Sequence, residues 1–227
     1  MVLTLAQRIE AVETRIAAAA ERSGRERGDI TLIGVTKTVD RRVVDEAYDL
    51  GMRHFGENRV QDCVEKFAIP LPSDAMLHEI GQLQSNKAKL AVQLFQVIHS
   101  VDRISLVSAL NRAAEQAGKR LLVFVQVNVA GEDQKAGCAL DDTLSIAKAI
   151  CVSSSLELRG LMTMAPLVED PEATRPTFRR LRELRDALSA DYGMSLPWLS
   201  MGMTNDFEIA IEEGATHVRV GRAIFAN

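Results

Sequence analysis

Three stretches of this sequence carry residues whose types and spacing could do chemistry together. The first is "TLIGVTKT", residues 31–38, an apolar run that ends in Lys37. Side chains alternate along a strand, so Thr31, Ile33, Val35 and Lys37 share one face. If Ile33 and Val35 point into an enclosure, Lys37 projects inward at its rim. An amine stripped of water there is a nucleophile suited to forming an imine with an aldehyde. Taken alone, the same residue also fits a solvated strand end. The second stretch is "LSMGMTND", residues 199–206, a strand that passes through Gly202 into Thr204 and Asn205 before the helical "FEIAIEEGA". Thr204 or Asn205 reads as a helix cap, and the free N–H groups of such a first turn attract anions. The third is "THVRVGRAIF", residues 216–225, where Gly221 lets backbone approach a ligand before Arg222. Within it Arg219 shares a face with His217 and Gly221. A guanidinium turned inward is costly unless a ligand or carboxylate meets it.

These groups need elements to hold them. Eight apolar strand candidates alternate with helical patterns: 31–36, 52–57, 76–82, 96–102, 121–128, 156–164, 197–203 and 216–225. Alternation implies parallel strands joined by crossover helices. Eight units in 227 residues fit a closed (β/α)8 barrel of the TIM type, with an open doubly wound sheet as the alternative. The opening "MVLTLAQRIEAVETRIAAAAERSGR" reads as an extra amphipathic helix, broken too often by charge for a secretory signal. The whole chain, 1–227, reads as one domain. A barrel puts chemistry at the carboxyl ends of its strands and commonly binds phosphate after strands seven and eight. The candidate rim residues are Thr36, Lys37, Asn58, Gln84, Asn86, Asp102, Asn128, Met164, Thr204, Asn205, Gly221 and Arg222. Lys87 and Lys135 lie in longer polar loops and are weaker amine candidates. Ring closure makes strand eight the neighbour of strand one, so Arg219 and Lys37 can face one small ligand.

Composition narrows the classes further. A net charge of −4 without a basic segment gives no footprint for nucleic acid. No stretch reaches the ~18–20 apolar residues that span a bilayer. Cys63, Cys138 and Cys151 are odd in number and lack Cys-x-x-Cys spacing, which suits a reducing cytoplasm. His54, His78 and His99 fall on separate strands without metal-ligand spacing and read as satisfied core or rim histidines. "NRVQDCVEKF" and "QSNKAKLAVQLF" read as covering helices, and "RPTFRRLRELRD" as a solvated helix face.

A phosphate site, an imine-forming lysine and a cation between them describe a pocket for pyridoxal 5′-phosphate. The segments "GVTKT", "HFGENRVQD", "HEIGQLQSNK", "HSVDR", "VQVNVAGEDQKAG", "RGLMTMAP" and "SMGMTNDFEIAIEEGATHVRVGRAIF", in order from about residue 30 to 225, resemble the pyridoxal phosphate homeostasis protein family. The resemblance implies a barrel related to the amino-terminal domain of alanine racemase that binds the cofactor as a lysine aldimine. It implies Lys37 as that lysine, Arg219 facing the pyridine nitrogen and Asn58 near the ring. Thr204 matches a hydroxyl residue at the phosphate, with Asn205, Gly221 and Arg222 offering N–H groups; Met201 completes the cofactor-binding set. Arg222 stands where many members have threonine, which loses a hydroxyl but keeps the backbone donor. No glycine follows Phe225, another departure from the family pattern.

By the same resemblance the chain is a carrier and buffer in vitamin B6 and amino-acid homeostasis, and not a strong catalyst. Apo enzymes that use the cofactor are the expected recipients, and a monomer is the expected state. The alternative is a weak amino-acid racemase, which needs a second base; Tyr48 and Tyr192, the only tyrosines, are poorly placed for that. A sugar-phosphate aldolase would carry its lysine on strand six, which has none.

Overall fold

The structure, a computed structural model, describes residues 3–131 and 136–226. All eight expected strands form: β1 (Thr31–Val35), β2 (His54–Glu57), β3 (Met76–Glu79), β4 (Val97–Val101), β5 (Leu121–Gln126), β6 (Leu156–Met162), β7 (Trp198–Met203) and β8 (His217–Val220). Each is short, most are rich in Val, Ile, Leu or Phe, and each pairs in parallel with its sequence neighbours. The ring closes between β1 and β8, with Ile33 opposite Arg219 and Gly34 opposite Val220. The open-sheet alternative is therefore excluded.

Parallel neighbours require crossovers, and helices supply them. After β1 comes α2 (Arg41–Asp49), then α3 (Val60–Lys66), α4 (Ala88–Leu94), α5 (Ile104–Ala117), α6 (Thr143–Cys151), α7 (Arg175–Tyr192), α8 (Phe207–Glu212) and α9 (Arg222–Phe225). The last strand is shorter than its apolar run suggests. Ile224 and Phe225 donate back to the Gly221 carbonyl at 3.0 and 2.8 Å, turning the chain into α9 and burying both side chains.

The expected extra helix is α1 (Leu5–Arg22), started by a capping box between Thr4 and Gln7. It buries Leu5, Ile9, Val12, Ile16, Ala19 and Ala20. Along the edge of that buried stripe, arginines reach the last units of the barrel: Arg15 makes two 2.8 Å bonds to Glu208, Arg22 meets Glu212 at 2.8 Å, and Arg8 donates to the Ile224 carbonyl at 2.6 Å. The helix thus lies over the β8–β1 seam. The arginine-rich face of α7 is not merely solvated. Arg175, Arg179 and Arg182 converge on Glu213, whose side chain is 5% exposed.

Two cores follow from strand alternation. Outward residues such as Leu32, Phe55, Leu199, Met201, Val218 and Val220 join the large strand–helix core. The barrel interior holds a small apolar cluster of Val97, Phe124 and Met162, bordered by Met76, Leu122 and Trp198. Around it lie rings from all four histidines of the chain: His54, His78, His99 and His217. No helix among the described residues is long and apolar enough to cross a membrane.

Gly160 marks the tightest strand contact. A Cβ there would fall 1.8 Å from the Trp198 carbonyl oxygen. Gly160→Ala must therefore part β6 from β7, and we expect a loss of about 1–3 kcal/mol or more, read as a lowered midpoint in chemical denaturation.

Candidate functional site

The candidate site is the carboxyl-end mouth where β1, β2, β7 and β8 deliver their rim residues. Lys37 sits in a turn just past β1, closed by the Val39 N–H on the Thr36 carbonyl at 3.1 Å. Strand alternation holds through Ile33, fully buried, and Val35, half-buried; the turn then ends it, and Lys37 is exposed. The protein's own walls do not strip water from this amine, contrary to the expectation from the strand pattern. Lys87 lies in a short 3-10 turn, Ser85–Lys87, and Lys135 falls outside the described residues.

Behind the Lys37 turn is a buried clamp that sequence reasoning missed. The Lys66 ammonium donates to Glu57 Oε1 and to the Thr36 carbonyl, each at 2.7 Å. The Thr36 hydroxyl donates to the same carboxylate oxygen at 2.7 Å. Glu57 is 2% exposed, so its charge is met by a cation and a hydroxyl and not by water. The available signal was a carboxylate closing the apolar "HFGE" strand, with Lys66 nine residues later in the last turn of α3. Removing one partner of such a buried pair is far costlier than the pair's net worth.

Next to Glu57 in register lies Glu79, 1% exposed. Burial pushes its pKa up to about 8; Glu57 adds to the rise and the Gly81 N–H, 2.9 Å from Oε1, opposes it. Among the described residues its Oε2 has no partner, which fits a protonated acid better than a buried anion. Burial first, and the Glu57 carboxylate after it, push the Cys63 thiol up, so this cysteine is no nucleophile.

Arg219 points into the barrel as expected and is 3% exposed. It donates to the Ser200 hydroxyl at 2.6 Å and to the Thr163 carbonyl at 2.9 Å, both neutral acceptors. Burial pushes its pKa down to about 10, and the charge of Asp206 only partly offsets this. Ser200 and Thr163 were absent from the sequence-based list. Serine in "LSMG" and threonine in "LMTMA" carry no signal until the register places them beside the guanidinium.

The remaining residues divide by position. Thr204 is half-buried and Asn205 exposed, in the turn between β7 and α8. The N-cap position expected at one of them falls at Asp206 instead, with no side-chain bond into α8; its carboxylate closes the preceding turn by accepting the Met203 N–H at 2.6 Å while its own N–H donates to the Met203 carbonyl at 3.1 Å. Gly221 rests on β1, where a Cβ would meet Val35 Cβ at 3.3 Å. Arg222 is exposed and reaches Asn205 Oδ1 at 3.5 Å, which joins the β7 and β8 exits. The helical bonds of α9 begin with Ile224, leaving the Arg222 and Ala223 N–H groups outside the ladder. Asn58 is half-buried at the β2 exit, its carbonyl overlain by Gly81, where a Cβ would come within 2.1 Å. Met201 differs from the rest. Its side chain is wholly buried in the strand–helix core, so only its backbone faces the site. The mouth therefore offers an exposed amine, a buried guanidinium and backbone donors at adjacent strand exits.

The family described as alanine racemase, N-terminal domain, matches residues 8–227. The pyridoxal phosphate homeostasis protein of Aquifex aeolicus is 41% identical over 219 residues, covering 96% of each chain. Among solved structures, a protein of Bifidobacterium adolescentis superposes with a TM-score of 0.90 at 38% identity, over 97% of this chain and 94% of that one. PipY of Synechococcus elongatus, solved with pyridoxal phosphate bound, gives 0.86 at 34% identity, over 98% and 100%.

Glu79 makes the fold sensitive to pH. The folded chain keeps a proton that the unfolded chain releases near the usual value of 4.5. Stability should therefore fall by up to ~1.4 kcal/mol per pH unit between about 4.5 and about 8, then level off. Glu79→Gln removes that slope, so its stability relative to the parent should rise across this window. Urea denaturation at several pH values measures the difference; a constant gap would mean Glu79 is ionised in the fold.

Proposed function

The chain belongs to the pyridoxal phosphate homeostasis protein family, and from that premise we propose that it binds pyridoxal 5′-phosphate at the carboxyl-end mouth and acts as a carrier and buffer of the cofactor. The observation that carries this reading is Arg219, a buried cation whose hydrogen-bond partners among the described residues are both neutral, on the strand that pairs with the one leading to Lys37. A cation so placed favours a ligand with a lone pair or negative charge at the mouth. The groups around it fit the cofactor's parts. Lys37 is the amine for its aldehyde, and Asn58 borders its ring. Thr204, Asn205, Gly221 and Arg222, with the Met201 backbone, are the set for its phosphate. The turns at β7 and β8 are short; their support lies in standing side by side, with β8 next to β1.

When bound, pyridoxal phosphate supplies an aldehyde carbon and a ring that withdraws electrons most strongly with its nitrogen protonated. Arg219 remains a cation at neutral pH even at about 10, so it donates a hydrogen bond without handing over a proton. That suits holding the cofactor better than driving amino-acid chemistry. No tyrosine is placed to act as a second base. Tyr48 lies late in α2 and donates to Asp74 at 2.7 Å, and Tyr192 ends α7 beneath Lys148. Both stand toward the amino-end face of the barrel. The relatives are named as homeostasis proteins, which agrees with a carrier. Three free thiols suit a reducing cytoplasm. We take the chain to act there as a monomer that passes its cofactor to apo enzymes.

Loaded protein should absorb in the near-visible region, and borohydride should fix one cofactor per chain at Lys37, as peptide mass mapping would reveal. Lys37→Ala should abolish the reducible adduct; a stoichiometric adduct at another lysine overturns the assignment. Racemisation of alanine or serine approaching ~10 per second, an ordinary enzymatic turnover, would replace the carrier reading.

A further inference from the structure

The histidines of the barrel interior form a chain. His54 Nδ1 lies 3.0 Å from His78 Nε2, His78 Nδ1 lies 2.9 Å from His99 Nε2, and His99 Nδ1 lies 2.8 Å from Ser200 Oγ. Ser200 Oγ in turn accepts from Arg219 at 2.6 Å. The run starts at half-buried His54, the first residue of β2 at the amino-end mouth. It ends at the guanidinium of the opposite mouth, crossing the whole barrel through residues of β2, β3, β4, β7 and β8.

One member fixes the direction of all the others. A guanidinium has donors only. Ser200 must therefore accept from Arg219, and its own proton goes to the other atom in contact, His99 Nδ1. His99 then carries its proton on Nε2 and gives it to His78 Nδ1. His78 gives its Nε2 proton to His54 Nδ1, which leaves the His54 Nε2–H for solvent. Three imidazoles thus share one tautomer, neutral with the proton on Nε2. A reversed order would leave the fully buried Ser200 hydroxyl proton without an acceptor.

The surroundings hold this state. The charged or titratable groups that bear on these rings are His217, Arg219 and the histidines themselves, with Arg159 beyond His217. Burial lowers the basicity of all three imidazoles of the chain, and no carboxylate among those groups offsets it. The ring nitrogens meet in pairs and share no common centre, and no histidine group among the described residues could hold a metal ion.

We propose that His99, His78 and His54 are positioning residues for Arg219, forming a one-way hydrogen-bond relay that aims the guanidinium at the carboxyl-end mouth. A hydroxyl that donates becomes a better acceptor, so each downstream bond strengthens the Ser200 hold on Arg219. The relay makes the geometry of the cofactor's nitrogen partner depend on residues at the far end of the barrel. Its functional meaning rests on the cofactor reading above; its existence does not.

The decisive measurement uses the unloaded wild-type protein. Long-range 15N–1H spectra should show His54, His78 and His99 neutral and protonated on Nε2 at pH 7. A proton on His99 Nδ1, or an imidazolium at any of the three, overturns the relay whether or not the cofactor binds. His54→Phe removes the last acceptor while filling space; it should shift the His78 and His99 ring nitrogens and speed solvent exchange of the Arg219 Nη protons. His54→Gln, which offers an amide oxygen, should restore them. Unchanged resonances in His54→Phe would reduce these histidines to packing. In the loaded protein, Ser200→Ala should weaken pyridoxal phosphate binding roughly tenfold or more, the scale of one hydrogen bond to a charged group; unaltered affinity would sever the relay from the cofactor site.

Discussion

A guanidinium with almost no contact with solvent is the constraint on which the rest of this structure turns. Moving such a charge out of water is expensive, and an opposing carboxylate in contact is the usual remedy. Here the contacts are a hydroxyl and a carbonyl, while Asp206 acts only through space. The cation is therefore solvated by the protein without being neutralised. That explains why the barrel interior departs from the layered aliphatic filling of most such barrels. Ser200 and the histidines occupy inward positions that Val, Ile or Leu would otherwise take, because a wholly apolar interior could not hold Arg219.

The strand register turns that local demand into a global one. Arg219 reaches Ser200 and Thr163 only if β8 is parallel to β7 and closed onto β1, with Ile33 opposite the arginine. Missing side chains make this closeness possible: at Gly56 a Cβ would lie 2.9 Å from Ile33 Cγ2, and at Gly34 it would lie 2.4 Å from Met52 Cε. The first relieves the barrel interior and the second the strand–helix layer. Across the seam, α1 ties the beginning of the chain to α8 and α9 through paired charges on the outside and an apolar face beneath. The exposed ion pairs contribute little singly; the buried face of α1 contributes more.

The sequence made the barrel legible because periodicity and alternation are additive over eight units. It placed Arg219 on the face opposite Val218 and Val220 but left open which face was inward; burial of both valines in the outer core settles that. Lys37 was legible as a residue at the β1 exit but not in its exposure. The Thr36–Val39 turn that ends the alternation is held by Glu57 and Lys66, both of which are distant in sequence from the turn. The cap at Asp206 was missed by one or two residues because three polar residues in succession can each close that turn. Met201 was expected in the cofactor-binding set, yet alternation alone sends its side chain outward with Leu199, where the structure buries it. Least legible was the relation among the histidines. His54, His78 and His99 sit one to a strand, and only the stagger of neighbouring strands brings their rings within hydrogen-bonding distance.

The two polar networks lie on opposite sides of the strand wall, and they set the two ends of the site differently. On the outer side, Glu57, Lys66 and Thr36 fix the backbone from which Lys37 springs while leaving its amine in water. On the inner side, Ser200 and Thr163 fix the guanidinium itself. A ligand gripped between them would meet one rigid end and one solvent-facing end. For a carrier this asymmetry is useful. A rigid donor selects the ligand by shape and charge, whereas an amine open to solvent can be approached by another molecule's amine without the barrel first having to open. Under the carrier proposed above, retention and release would fall to different residues.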